Sequence, residues 1–502
     1  MSYTDRLPLD LYRAAQVREL DRAAIEDFGI PGLTLMERAG AGAFDLLCHA
    51  WPGARDILVV CGTGNNGGDG FVLARHALGA GMQVRVLQLG DPNRIQGDAL
   101  ASRRAFLEAG GEAAPFAGLP ESADVIVDGL LGTGLERELS GDWRRAVEAL
   151  NDFPAPVLAL DIPSGLHADT GRILGAAVRA DATISFIGLK RGLFSGMGPD
   201  CCGRILFDDL AVPAGVYEAE QPSARRAQWR LQSGLLGRRR RTAHKGDFGH
   251  VLVIGGEQGF SGAARMAGEA ALRTGAGLVS IATRPEHAAL LGAVRPELMC
   301  HGVADATQLG PLLKRATVIA IGPGLGQSSW ARALLGRVLD TGLPLVVDAD
   351  ALNLLAAEPA TRDNWILTPH PGEAGRLLGL PSSEVQADRF RSVESLQDKY
   401  GGVAVLKGAG TLVRGGCARP VAVCTDGNPG MASGGMGDVL TGIIAGLLAQ
   451  GFAPEDAATA GVCLHAAAAD RAAQAGERGL LAGDLMPELR MLLNPDWTRC
   501  PA

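Results

Sequence analysis

From residue 57 to residue 186, short apolar runs at 57–61, 84–89, 125–127, 157–160 and 182–186, three of them (57–61, 125–127 and 157–160) with no polar residue, alternate with stretches of helical periodicity. Runs without polar alternation are what strands covered on both faces require, so this half predicts a doubly wound α/β sheet of parallel strands. The same alternation restarts at 251–254 and continues through 278–282, 318–321, 345–347, 365–367 and 403–406. A complete second series predicts a second, independent sheet. Between Val212 and Arg241 the apolar periodicity fades into Pro213, Gly215, Pro222 and the run Arg238 to Arg241, which predicts the join.

The polar residues that break the pattern cluster where the apolar runs end, the edge at which open α/β sheets bind ligands. The first run leads into Gly64-Asn65-Asn66-Gly67-Gly68-Asp69-Gly70, ahead of a helical pattern at 71–78. A tight turn does not need four glycines with two Asn and an Asp. Such density lets backbone amides approach an anion at a helix N-terminus, where the dipole favours negative charge. Further on, Asp128 leads to Gly132-Thr133-Gly134, and the 157–160 run ends in Asp161-Ile162-Pro163-Ser164-Gly165. Either could be loop capping alone. With Asn66 they offer amide, carboxylate and hydroxyl oxygens on one edge, able to coordinate a cation or hold a polar ring.

In the second series, Ala432-Ser433-Gly434-Gly435-Met436-Gly437-Asp438 opens a helical pattern at 439–448. A carboxylate and a phosphate repel, so Asp438 is better suited to activating a hydroxyl against a phosphate than to binding one. Its value as a first-turn acid, typically about 0.3–1 kcal/mol, does not outweigh that crowding. Gly322-Pro323-Gly324-Leu325-Gly326, Asp348-Ala349-Asp350 and Thr368-Pro369-His370-Pro371-Gly372-Glu373 each follow an apolar run. Lys407-Gly408-Ala409-Gly410-Thr411 offers amides and a cation to a nucleotide's phosphates. His370, rigid between two prolines, suits a ligand and a structural role equally.

Composition narrows the partners. A formal net charge of -8 gives no reason to expect nucleic acid or an anionic membrane, and Arg238 to Arg241 reads as a solvated stretch, with a role near substrate phosphates open. The nine cysteines form no Cys-x-x-Cys pair and read as reduced thiols. The charged start has no signal-type apolar segment, and the longest apolar stretch, 439–452, is too short for a membrane span. A cytoplasmic protein is expected.

Taken in order, the Gly-Asn-Asn-Gly-Gly-Asp-Gly run, Asp161 to Gly165, His244-Lys245-Gly246-Asp247-Phe248-Gly249, the Thr-Pro-His-Pro-Gly-Glu run and Gly-Gly-Met-Gly-Asp resemble the bifunctional NAD(P)H-hydrate repair enzymes over nearly the whole chain. The resemblance implies a Rossmann-like three-layer αβα epimerase over residues 1–220 and a ribokinase-like, ADP-dependent dehydratase over 221–502. It implies isomerase and lyase activities on NADHX and NADPHX, potassium in the first domain, magnesium with ADP in the second, and a homo-oligomer. Asn66, Asp128 and Ser164 match the potassium ligands. Asn65, Asn66, Gly67, Gly68 and Asp69, then Gly132, Thr133, Gly134, Leu135, Glu136, Arg137 and Glu138, with Asp161, match the epimerase substrate positions. Ala263, Gly324, His370 and Asp438 match the dehydratase substrate positions, and Lys407, Gly408, Ala409, Gly410, Thr411 and Gly437 the ADP positions. Asp161 and Asp438 are the candidate catalytic residues. Met436 is bulkier than the residue many sugar and vitamin kinases carry there. Two other readings compete: a vitamin or sugar kinase fused to a nucleotide-binding domain, and a non-catalytic nucleotide sensor.

Overall fold

The computed structural model describes residues 2–416 and 418–494, so Cys417 and Cys500 lie outside the described residues. The chain forms two compact units, Met1–Arg225 and Arg226–Ala502.

The first unit contains α1 (Gly32–Ala50), β1 (Asp56–Cys61), α2 (Asn65–Gly79), β2 (Gln83–Gln88), β3 (Ala113–Pro115), β4 (Val125–Gly129), β5 (Val157–Leu160), β6 (Ala182–Phe186) and β7 (Arg204–Asp208). The strands pair in parallel in the order β3-β2-β1-β4-β5-β6-β7. Residues alternate across β1: Ile57 and Val59 pack into one apolar cluster, Leu58 and Val60 into another. Two cores, one on each face, are why that run shows no polar alternation. The chain steps outward from β1 to β3 and returns on the other side of β1 at β4. Such a reversal opens a crevice between the loops that follow β1 and β4. This is a doubly wound, Rossmann-like α/β arrangement.

The second unit contains β8 (His250–Ile254), α3 (Ser261–Thr274), β9 (Leu278–Thr283), β10 (Met299–Gly302), β11 (Val318–Ile321), β12 (Leu345–Val347), β13 (Trp365–Leu367), α4 (Pro371–Leu378), α5 (Arg389–Tyr400), β14 (Val403–Leu406), β15 (Leu412–Arg414), β16 (Val421–Cys424), α6 (Met436–Ala449) and α7 (Pro454–Ala472). Its strands follow the order β16-β15-β14-β13-β12-β11-β8-β9-β10, parallel except where β15 turns back on β14 and β16 on β15. The apolar stretch at 439–452 is explained by α6, which is buried along nearly its whole length. A Cβ at Gly442 would strike the Ala267 carbonyl, and one at Gly446 would stand 2.9 Å from that of Ala271, so glycine lets α6 lie against α3. No described helix is long and apolar enough to cross a membrane.

Candidate active sites

The crevice of the first unit opens into a cavity of about 990 Å³. Asn65, Asn66 and Asp69 line it from the first turns of α2, residues 132–137 from the loop after β4, and Asp161 from the end of β5. Of the expected epimerase positions, Gly67, Gly68 and Glu138 do not line it. Gly67 is pressed onto the Gly62 carbonyl and a Cβ at Gly68 would stand 2.5 Å from Met36 Sδ, so these two glycines serve packing. Glu138 pairs with Arg172 at 2.8 Å on the surface.

The expected cation ligands lie at the floor. Asp128 is fully buried; its carboxylate accepts the Ser164 amide at 2.8 Å, the Ser164 hydroxyl at 2.6 Å and the Leu130 amide at 3.2 Å. Burial nevertheless pushes its carboxyl up to about 6. Asn66 donates from its amide to the Leu131 carbonyl at 3.1 Å, which leaves its Oδ1 buried without a hydrogen-bond partner.

Asp161 has a left-handed backbone, φ 64°, rare outside glycine. Its carboxylate accepts the Phe186 amide at 3.2 Å and pairs with the ammonium of Lys190, which is fully buried and also donates to Ser185 Oγ at 3.1 Å and the Phe186 carbonyl at 3.2 Å. Lys190 and Asp21, also on the cavity wall, carried no sequence signal: Asp21 is one of several charges on a helical pattern, and Lys190 stands beside Arg191 outside the motifs at the strand ends.

In the second unit, Gly435 (φ 92°) opens α6, and Asp438 stands in its first turn. Burial foremost, then the negative charge of Asp348, push the Asp438 carboxyl up to about 7, against the pull of Lys407. Asp348, itself buried, accepts Lys407 Nζ at 2.7 Å on one oxygen and Thr441 Oγ1 at 2.8 Å on the other. Lys407 also reaches Glu373 at 3.8 Å. A Cβ on Gly437 would lie 3.4 Å from Lys407 Nζ, so Gly437, Asp438, Lys407 and Asp348 converge. Ala263 and Gly324 also abut: a Cβ at Gly324 (φ 57°) would lie 3.1 Å from that of Ala263.

His370 has a structural task. Its Nδ1 accepts the amides of Gly372 at 2.9 Å and Glu373 at 3.4 Å, capping α4, while Glu373 accepts the His370 amide at 2.8 Å. Burial and the cations Lys407 and Arg376 lower its pKa, and accepting at Nδ1 leaves the proton on the half-exposed Nε2 edge. The loop Lys407 to Thr411 is shaped by Arg389, a buried guanidinium on α5 that donates to the carbonyls of Leu406 and Lys407 at 3.3 Å and Gly410 at 3.4 Å. Thr411 Oγ1 donates to the Gly408 carbonyl at 2.9 Å, and Ala409 lies between them. Buried His465 on α7, with Nε2 lacking a partner, feels Lys407 and the Met436 carbonyl. Neither Arg389 nor His465 was expected. Met436 turns into the core. Residues 244–249 precede β8, at the sheet edge opposite the site, and Arg239 stacks 3.6 Å over Phe248 while donating to Gly275 at 2.6 Å.

A family model described as NAD(P)H-hydrate dehydratase matches residues 251–490, and one described as YjeF-related protein N-terminus matches residues 32–192. The chain is 51% identical over 490 residues to a bifunctional NAD(P)H-hydrate repair enzyme of Coxiella burnetii, covering 97% of this chain and 99% of that one. The corresponding Escherichia coli protein is 47% identical over 496 residues, covering 98% and 95%. Among solved structures, a ribokinase-like superfamily protein from Enterococcus faecalis is similar with TM-score 0.51 and 31% identity, covering 55% of this chain and 96% of that one.

Proposed function

The chain belongs to the bifunctional NAD(P)H-hydrate repair enzymes, which join an epimerase to an ADP-dependent dehydratase, and we propose that residues 1–220 carry the first activity in the cavity and residues 221–502 the second around Asp438. The substrates are the R and S forms of NADHX and NADPHX, with ADP consumed to AMP and phosphate. The observation that carries this reading is Asp438 at the open mouth of α6, its carboxyl held near neutrality beside Lys407 and Asp348. Match over nearly the full length to repair enzymes, rather than over one half to a kinase, weighs against the fused vitamin or sugar kinase.

In the dehydratase, ionised Asp438 takes the proton of the substrate hydroxyl as its oxygen bonds to the terminal phosphorus of ADP and AMP departs. The resulting phosphate ester loses phosphate together with a proton from the neighbouring carbon, which restores the dihydropyridine double bond. The amides of residues 408–411 and the N-terminus of α6 face the phosphates, with Gly437 leaving room for them. Lys407, tied to Asp348, holds its charge in place. Ala263, Gly324 and the Nε2 edge of His370 border the nicotinamide. Magnesium bound with ADP would screen the phosphate charge, and Asp350, which adds its negative charge beside Asp438, is the carboxylate to face it.

In the epimerase, Asn66, Asp128 and Ser164 would hold potassium: an unpartnered buried amide oxygen beside a buried carboxylate suits a large monovalent cation. The ion would supply a fixed positive charge beneath the glycine-rich turn. Asp161, set by Lys190, lines the substrate ring. The proposal extends to a cytoplasmic setting, in keeping with the free thiols of the described cysteines, and to a homo-oligomer, which sedimentation would test. Purified protein incubated with hydrated NADH should restore dihydropyridine absorbance only with ADP, and should consume both epimers; consumption of one alone, or a stable phosphorylated product without NADH, would overturn the reading.

A further inference from the structure

The cavity of the first unit carries more charge than its motifs account for. Asp21 reaches it from the helix Ala14–Arg22, Asp69 from α2, Asp161 from the end of β5, and Lys190 from the segment after β6. Directly after Arg22 the helix widens into a π-helical turn, Ala23–Asp27, a rare geometry that often accompanies functional sites. Three carboxylates thus share one ammonium, and that ammonium is committed to Asp161, Ser185 and the Phe186 carbonyl. Burial and then the charge of Asp161 push Asp69 well above the carboxylate range, with Asp21 adding to the effect. Asp21 is pushed up to about 6 by burial and Asp161, against Lys190. Among the described residues no hydrogen bond relieves either group. Arg18, Asp98, Glu136 and Arg137 are the other charged groups on the wall. With fewer cations than carboxylates in a desolvated space, the cluster retains a proton in neutral solution. Asp69 is almost wholly enclosed, whereas Asp21 is only partly so, which makes Asp21 the member open to a ligand.

Resting on the epimerase reading above, we propose that Asp21 is the proton donor and acceptor of the epimerisation, sharing its proton with Asp69. The ring carbon that bears the hydroxyl is bonded to the ring nitrogen. Protonated Asp21 gives its proton to the hydroxyl; the carbon–oxygen bond breaks with its electron pair leaving on water, and the nitrogen lone pair closes a cationic carbon–nitrogen double bond. Water then adds to either face while Asp21 takes the proton back. One water leaves, one enters, and nothing is oxidised or reduced. The excess negative charge of the cluster stabilises the cationic ring.

The test uses the full chain with Asp21→Asn and Asp21→Glu, following conversion of the R to the S epimer of hydrated NADH above the enzyme-free rate from pH 5 to 9. Asp21→Asn should lower kcat by about 10²-fold or more with KM nearly unchanged, the usual scale of a lost proton-transfer group. Asp21→Glu should keep measurable turnover with a displaced pH profile. Normal turnover by the Asn variant overturns the proposal. If the Asn variant loses the first unit's thermal transition, the Glu variant decides, and a wild-type pH profile there overturns it. Wild-type protein that fails to accelerate epimerisation would instead defeat the epimerase reading itself.

Discussion

Lys407 and Asp348, on loops that follow β14 and β12, meet at 2.7 Å across the end of β13, and Thr441 of α6 holds the other oxygen of the same carboxylate. One buried acid thereby ties two strand ends to the helix that carries Asp438. Its charge also raises the Asp438 carboxyl. Replacing Asp348 with Asn removes that repulsion and leaves the attraction of Lys407 opposed by burial and by the charge of Asp350. The acid limb of the dehydratase kcat/KM profile should move down from near pH 7 by on the order of one unit, as for removal of a close like charge. An unmoved limb would detach Asp438 from that limb.

Asp438→Asn should lower dehydration by ~10²- to 10⁴-fold while ADP binding, measured by calorimetry, persists or tightens. The same variant should unfold at higher temperature than wild type at pH 8. The folded-state pKa of Asp438 is raised to about 7, so its contribution to stability is full below the unfolded carboxylate range and is lost as pH rises through 7. At one unit per about 1.4 kcal/mol, Asn should gain a few kcal/mol at pH 8 and nothing near pH 3. Equal unfolding temperatures at pH 8 would refute the shift.

Potassium should stabilise the first unit by roughly 2.7 kcal/mol at a hundredfold excess over Kd, seen as a higher unfolding temperature, and Asp128→Asn should abolish the gain. Asp128 is pushed up to about 6, so ionising it above that pH costs stability in the absence of a cation. The potassium effect should therefore be larger at pH 8 than at pH 5. A calorimetric titration showing no potassium dependence in wild type would rule the site out.

Arg389→Met keeps bulk but leaves the carbonyls of Leu406, Lys407 and Gly410 without their donor. A loss of about 3 kcal/mol in stability is expected from unsatisfied buried acceptors. The loop 407–411, proposed to hold ADP, should lose its shape, so KM for ADP should rise by roughly tenfold, the scale of a small misplacement, with epimerisation untouched. A rise in the epimerase KM instead would mean a global defect.

The central strands of both sheets were legible because residues such as Ile57 to Val60 must be apolar on both faces. The short strands Ala113–Pro115, Met299–Gly302, Leu412–Arg414 and Val421–Cys424 were not: each has three or four residues, the first two are largely exposed, and the last two pair antiparallel, unlike the rest. The same divide runs through the sites. Asp161 and Asp438 stand out in sequence beside the glycines of strand ends and helix mouths. Lys190, Asp21 and Arg389 sit in ordinary helical or apolar surroundings, and matter only because folding brings them to Asp161 or to residues 406–410. His370 read as ambiguous and has a definite structural duty, because capping depends on the Nδ1 geometry and not on its neighbours in sequence.

The left-handed backbone of Asp161 bears on how this protein would fare under selection. At φ 64° glycine or asparagine would be at least as comfortable, and the carboxylate there is held by one buried ammonium and one amide. A laboratory lineage rewarded only for surviving heat would drift toward Gly or Asn at this position together with an uncharged residue at 190, because the buried ammonium cannot be left without its carboxylate. Retention of the aspartate through such drift would have to come from demand for the chemistry, which makes position 161 a marker separating selection for folding from selection for repair.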